Sequence, residues 1–461
     1  MIKFCNLYLP SRLLLFIVID GTFLSLALLA ALHSDMSLMH RLAGWQYLSL
    51  IAVSGIVCLG CMYLFDLYDL DLTWSGHDVL LQSLRATGCC VLLLVPLWWL
   101  LALGGTCYRS LEITLVLFIF SLCFYRLFAE WIRGWALPGE RVLLVGSGPS
   151  IPLLAAALRK RRCLPLKLTG IVPENGGRGM DALRFVACGY MTEFEKVSEM
   201  SRPDRVAIGL YDYADNLVMD SLLDLRRRGV RVEDAVGLYQ SLTGRVPVDL
   251  INVREMAFGK GLRLSPIAMA VNRCFGMLAA ITLITLLMPV LCLIALLIKL
   301  ESRGGVLYHQ ERVGLHGRLF QVIKFRSMYI NAEANSGPIW AKKGDPRVTK
   351  VGRVLRKLRL DELPQLWNVL RGEMCLIGPR PERPHFTASL AECLPYYDVR
   401  HSIRPGITGW AQVCADYSSS VEESKIKLEY DLFYLQNQSP LLDALILIKT
   451  VKIALFGRGA R

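Results

Sequence analysis

Four apolar segments dominate the N-terminal third of the chain, at about residues 13–32, 45–65, 86–103 and 111–129. Each approaches the ~20 residues a helix needs to cross about 30 Å of hydrocarbon. Short polar loops separate them, as in an up-down bundle. Four spans are therefore expected, with both ends of the block on one side. Lys3, Arg12, Arg126, Arg133 and Arg141 gather at those ends, which assigns that side to the cytosol. The acidic loop 66–78 on the same side weakens that signal. Asp20, inside the first segment, is costly in lipid and should face a partner helix or water. Pro96 should kink the third segment. The opening MIKFCNLYLPSRLLLF has no small-residue cleavage site, so it reads as a retained first span.

Charged residues reach 20% although hydrophobic ones make up 54%, so part of the chain lies outside the membrane. A net charge of +13 suits an anionic membrane face and phosphorylated substrates. No basic run is interleaved with aromatics, which argues against nucleic acid as a partner. Cys58 and Cys61 have C-x-x-C spacing, but no second pair or histidine cluster stands nearby. They read as small packing residues, and a reducing compartment is expected.

From about 138 to 246, apolar runs such as RVLLVGSG, LKLTGIV and DRVAIGL alternate with helical patterns. That alternation predicts a Rossmann-like α/β domain with a parallel sheet. Gly146 and Gly148 are candidate nucleotide-binding residues in the turn after its first strand. Ile151 occupies the place of the third fingerprint glycine, where a small residue is usual, and Glu174 comes late for a ribose contact. A regulatory or dimer-forming domain that keeps the fold without the ligand is the favoured reading.

A fifth apolar stretch, about 274–298, is long enough to span. Lys260, Arg263 and Arg273 precede it, and Lys299, Arg303 and Arg312 follow it. Positive charge on both flanks opposes a crossing. Pro289 lies within it and should break the helix, so that it enters one leaflet and returns. The expected organisation is a four-span bundle at 1–135, the α/β domain at 136–250, and an α-rich monotopic catalytic domain at 251–461. The re-entrant helix would occupy about 268–300.

The C-terminal half is dense in Arg and Lys just before the adjacent carboxylates Asp361 and Glu362. Such cations suit phosphate. The pair has a plain structural reading as the start of a helix, with Pro364 early in it and Gly372 at its stop. The same placement makes a nucleophile: a positive field should hold Asp361 ionised. An ionised Asp can attack phosphorus. Two carboxylates can also hold a hard divalent cation such as Mg2+. Spacing alone does not choose between these readings.

Residues 274–455 resemble the bacterial sugar transferase family, the monotopic phosphoglycosyl transferases. The resemblance rests on KFRSM (324–328), the run 342–384 containing RLDELPQLWNVLRG and GPRP, RPGITGWAQV (404–413) and KLEYDLFYLQNQS (427–439). With the spans and the α/β domain, the chain resembles the long form, the undecaprenyl-phosphate hexose-1-phosphate transferases of exopolysaccharide and O-antigen assembly. That resemblance implies attack of Asp361 on the β-phosphorus of a UDP-sugar, release of UMP, and transfer of the sugar phosphate to undecaprenyl phosphate. Glu362 would assist with Mg2+ or serve as general base. Arg356, Arg380, Lys324 and Arg326 would bind substrate phosphates. The re-entrant break falls on Pro289, although Met288 stands where the small forms carry serine. A homodimer at the bacterial inner membrane, its catalytic domain facing the cytosol, is expected. The alternative is a membrane-tethered nucleotide-sensing scaffold with an inactive transferase half, which the intact dyad opposes. A nucleotide-sugar oxidoreductase is opposed by the missing Tyr-x-x-x-Lys pair.

Overall fold

The computed structural model describes residues 2–4, 7–9, 11–34, 44–68, 76–101, 139–160, 166–173, 193–210, 216–251, 266–330, 345–415 and 420–456. They divide into two compact units, Met1–Phe4 with Tyr8–Ala235 and Cys5–Leu7 with Val236–Arg461. Two short paired strands, β1 (Ile2–Phe4) and β2 (Leu7–Leu9), begin the chain.

In the first unit, three apolar segments form helices α1 (Ser11–Ser34), α2 (Gly44–Leu64) and α3 (Gly76–Leu101). Within α3, His77–Pro96 is long and apolar enough to cross a membrane. The fourth expected span, 111–129, lies outside the described residues. Leu24, Cys58, Cys61, Met62, Ala86, Cys90 and Leu94 form a common core. Small residues there let helix backbones approach closely. Asp20 is buried and accepts a hydrogen bond from the Tyr68 hydroxyl at 2.9 Å, so its polar demand is met inside the protein.

Four parallel strands follow, β3 (Glu140–Val145), β4 (Leu166–Val172), β5 (Arg205–Ile208) and β6 (Arg231–Asp234). Their order in the sheet is β4-β3-β5-β6. Helices α4 (Ser150–Lys160), α5 (Phe194–Ser201) and α6 (Asn216–Arg227) supply the described crossovers. The wholly buried Arg205 ties the strands together through Glu140 at 2.8 Å and Glu233 at 3.0 Å.

In the turn after β3 both glycine amides are engaged by backbone carbonyls. Gly146 N–H donates to the Val172 carbonyl and Gly148 N–H to the Gly209 carbonyl, both at 2.8 Å. Gly146 has φ +117°, which other residues rarely adopt. A Cβ on Gly148 would lie 2.6 Å from the Gly209 oxygen. The glycines suggested as nucleotide ligands are therefore explained by the close approach of two loops. Ile151, in the place of the third glycine, is buried beside them.

The second unit begins with α7 (Ala235–Thr243), whose first residue belongs to the other unit. Residues 236–250, grouped by sequence with the sheet, pack on the C-terminal region instead. Trp410 Nε1 donates to the Gly244 carbonyl at 3.0 Å, and Val246 N–H to that of Glu429 at 3.1 Å. Then comes α8 (Pro266–Glu301), a 36-residue helix about 54 Å long at 1.5 Å per residue. Its stretch Met269–Glu301, whose most apolar 18 residues have mean hydropathy 2.9, is the second described segment long and apolar enough to span. The expected break at Pro289 is not present: the proline lies inside one continuous helix. The proline withholds one backbone donor while the helix continues on both sides of it.

Strands β7 (Leu307–Val313) and β8 (Leu319–Phe325) form an antiparallel hairpin. After it come α9 (Lys350–Lys357), the 3-10 turn Leu360–Glu362, α10 (Gln365–Arg371), β9 (Cys375–Ile377) and α11 (Pro384–Cys393). A 3-10 turn at Tyr397–Ser402, β10 (Gly406–Thr408), α12 (Trp410–Cys414), α13 (Val421–Asn437) and α14 (Pro440–Phe456) complete the unit. β10 pairs parallel with β9. The main core gathers Leu366, Val369, Ile377, Trp410, Phe433 and Ile446, with Ala280 of α8. A smaller core joins Ile294 and Ile298 of α8 to Phe325 and Leu355.

Candidate active site

The segment Leu360-Asp361-Glu362-Leu363 is divided by its own side chains. Leu360 packs on the smaller core and Leu363 on the main one. The two leucines are drawn into different cores, and the carboxylates are left between them. Arg359, with φ 56°, ends α9 in a left-handed turn and reverses the chain into Leu360–Glu362. Asp361 therefore does not head the main helix, as its sequence pattern suggested. It sits in a separate 3-10 turn, and the seven-residue α10 starts after Pro364.

The two carboxylates have different partners. Glu362 Oε1 lies 2.5 Å from Arg380 Nη2 and 3.4 Å from Lys324 Nζ. Burial pushes its carboxyl up, but the fields of Arg380 and Lys324 overcome this and hold it well below the usual carboxylate range. Asp361 makes no ion pair with any described residue. Burial and the neighbouring Glu362 charge raise its carboxyl above the usual value, against the opposing fields of Lys324, Arg356 and Arg380. This corrects the expectation that the positive surroundings would lower Asp361: Glu362 takes the close cations, and Asp361 keeps the desolvation and the repulsion.

Lys324 reaches the dyad from the end of β8. Asn368 of α10 fixes that strand, accepting from Ile323 N–H at 3.0 Å and donating to the Gln321 carbonyl at 2.7 Å. Asn368 is wholly buried and was not singled out by sequence; one amide bonding both directions of a strand can be seen only once the elements meet. Burial lowers the Lys324 ammonium's affinity for protons, as do Arg380 and Arg312, while Glu362 acts against them. Arg356, on α9, acts on Asp361 through its field. Arg380 enters from the loop after β9.

Arg326 does not join this group. It lies beyond the end of β8, and its buried guanidinium donates to the carbonyls of Ser302 and Arg303, both at 2.8 Å, and to Ser302 Oγ at 2.9 Å. The guanidinium thus caps the carboxyl end of α8. The sequence placed it beside Lys324 because the two are close along the chain; the turn after Phe325 separates their roles.

Among the described residues, no group of three or more His, Cys, Asp or Glu side chains forms a metal cage. Mg2+ does not require one, because substrate phosphates and waters complete its shell around one or two carboxylates. Asp361, an acid without an ion pair among the described residues, beside Glu362 with one oxygen already engaged, fits that mode.

Residues 267–457 match the family model for bacterial sugar transferases. The chain is similar to a UDP-N-acetylgalactosamine-undecaprenyl-phosphate N-acetylgalactosaminephosphotransferase of Aeromonas hydrophila, 46% identical over 49% of this chain and 52% of that protein. It is similar to an undecaprenyl-phosphate glucose phosphotransferase of Komagataeibacter xylinus, 33% identical over 70% of this chain and 60% of that protein. The chain thus spans only somewhat more than half of these two relatives. It is also 30% identical to a UDP-glucose:undecaprenyl-phosphate glucose-1-phosphate transferase of Klebsiella pneumoniae, over 77% of this chain and 78% of that protein. With residues 267–457 matching the family model and a 30% identical relative aligned over more than three quarters of both chains, the chain belongs to the bacterial sugar transferase family.

Proposed function

We propose that this protein transfers a hexose-1-phosphate from a UDP-sugar to undecaprenyl phosphate, starting the assembly of a glycan. The observation that carries the reading is the divided dyad: one carboxylate held by two cations, and beside it one without an ion pair among the described residues. In the first step an Asp361 oxygen bonds to the β-phosphorus, and the bond from that phosphorus to the oxygen of UMP breaks. UMP leaves with the electron pair. In the second step an oxygen of undecaprenyl phosphate attacks the same phosphorus, and the Asp361 carboxylate departs. The product is undecaprenyl-diphospho-sugar. Arg380 and Lys324 are placed to take over the donor's phosphate charge, and Arg356 adds field at Asp361. Bound Mg2+, held by Asp361 and Glu362, would offset phosphate charge.

The anchoring of α8 supports a membrane-surface site. Near its start, Arg273 donates to the carbonyls of Val369 and Leu370, and Asn272 to Asp443 at 2.9 Å. At its other end Glu301 accepts from Lys350 N–H at 2.7 Å, and Arg326 caps the last turn. A full crossing would carry these ends to opposite faces of a bilayer, yet both are bonded within one compact unit. Leu278, Ile281, Leu286, Leu293, Leu296 and Leu300 remain exposed along it, suited to acyl chains. A helix lying along the cytosolic face of the inner membrane, its apolar side sunk into the leaflet, meets both demands.

The test is exchange. Purified protein, a panel of UDP-glucose, UDP-galactose and UDP-N-acetylgalactosamine, and labelled UMP are incubated without lipid acceptor. Label should enter the UDP-sugar that is the donor, and Asp361→Asn should abolish it. Product formed with lipid but without exchange would remove the covalent step. No turnover of any donor would favour the scaffold reading.

A further inference from the structure

Arg380 is delivered to Glu362 by a loop in which four successive carbonyls accept hydrogen bonds. Pro379 O accepts from Gly406 N–H at 2.9 Å, and Glu382 O from Val313 N–H at 3.0 Å. The two between them are taken by side chains. Arg380 O accepts from Arg400 Nη2 at 3.0 Å, and Pro381 O from Arg312 Nη1 at 3.0 Å. Arg312 comes from β7, and Arg400 from the turn Tyr397–Ser402. Neither forms an ion pair with the dyad.

Both donors are themselves held. Arg400 Nη2 also meets Asp431 Oδ2 at 2.7 Å, its Nη1 donates to the Tyr397 hydroxyl at 2.7 Å, and its guanidinium stacks over the Tyr397 ring. The Arg400 and Asp431 side chains are only 6% and 2% exposed. A buried ion pair seldom adds net stability over a well-packed apolar pair, so this one is weak evidence for a purely stabilising role. Arg312 Nη2 bonds Gln310 Oε1 at 2.6 Å, and its Nη1 lies 3.6 Å from Glu382. Pro379 and Pro381 further restrict the loop on either side of Arg380.

We propose that Arg312 and Arg400 are positioning residues that fix the Arg380 main chain from both sides. The guanidinium is thereby held ready for an anion, Glu362 in the free protein and a donor phosphate in the complex. A clamp ordered in advance spends no binding energy on loop ordering and acts fully on charge that develops during transfer. The catalytic part of this inference rests on the phosphotransfer reading; the positioning part does not.

The test uses the full chain in vesicles. One variant is Arg312→Gln, and the other is the charge-neutral pair Arg400→Met with Asp431→Asn. Amide hydrogen exchange reads the loop directly. Arg312→Gln should speed exchange at Gly378, Arg380 and Glu382 by about fivefold or more while α13 stays protected. In UMP exchange it should cost about tenfold with Arg380 present and under about twofold in an Arg380→Ala background, since residues acting through one another are not additive. Arg312→Lys should restore part of the loss. Unchanged loop protection, or equal losses in both backgrounds, overturns the proposal. A loosened loop in a protein whose parent turns over no donor leaves positioning in place and removes the phosphotransfer reading. The Arg400 pair repeats the test independently.

Discussion

Two glycine loops follow parallel strands in this molecule, one after β3 and one after β9. Both admit a neighbouring backbone at close range. A Cβ on Gly148 would lie 2.6 Å from the Gly209 oxygen, and one on Gly378 would lie 2.6 Å from that of Arg404. There the likeness stops. In Gly146-Ser147-Gly148 the glycine amides are consumed by carbonyls of adjacent strands and loops. In Gly378-Pro379-Arg380-Pro381 the same tightness aims a guanidinium at a carboxylate. A glycine loop reports that two backbones meet; what makes it a site is the side chain it carries.

The comparison can be broken at several points, beginning with the chemistry the second loop serves. Asp361→Asn should cut UMP exchange by at least about 10^4-fold, as loss of a nucleophile does. The same change should stabilise the protein. Burial and Glu362 raise the Asp361 carboxyl, so its ionised form costs stability above that raised value. Below the ordinary carboxylate value both folded and unfolded states are protonated and the cost is gone. A thermal scan should therefore show a rise at pH 7 of about 2–4 °C per kcal/mol relieved, and none near pH 3.

Arg380→Ala should lower exchange by about 10^2 to 10^3-fold. It also removes a positive field from both carboxylates. Their protonation then moves upward, so the acid limb of the pH–rate profile should shift to higher pH. A shift downward would mean that Arg380 does not face the dyad in solution. Gly378→Ala should cost about 10 to 10^2-fold, because the added methyl displaces the loop that carries Arg380.

Gly148→Ala makes the matched case. It should destabilise the sheet by about 1–3 kcal/mol in a denaturant titration and leave exchange within about twofold. A large kinetic loss with the fold intact would make the first loop a site after all. Finally, Arg326→Lys should lower stability by roughly 1–3 kcal/mol with the donor KM unchanged, since the guanidinium serves the end of α8. A raised KM would return it to the phosphate site.

Much of this was legible along the chain. The alternating strands of the sheet, the basic approach to the dyad and the Gly-Pro-Arg-Pro turn stand out because each is local in sequence. Arg326 was misplaced for the same reason: it is two residues from Lys324, but the strand ends between them. Asn368 and Arg400 gave no local signal, because what they bind lies on other elements. Arg400 is 31 residues from Asp431 and 20 from the carbonyl it holds.

By itself the sequence determined which segments must be helices in an apolar setting, where backbones reverse, and which side chains carry charge. These follow from hydropathy, φ freedom and ionisation, which belong to single residues and their near neighbours. Only the tertiary structure decided how the charges are shared. Leu360 and Leu363 go into separate cores, Arg380 and Lys324 both turn to Glu362, and Asp361 is left without an ion pair among the described residues. Electrostatic energy depends on distance in space and on exclusion of water. Adjacent acids in a sequence therefore take different roles only once the chain has folded around them.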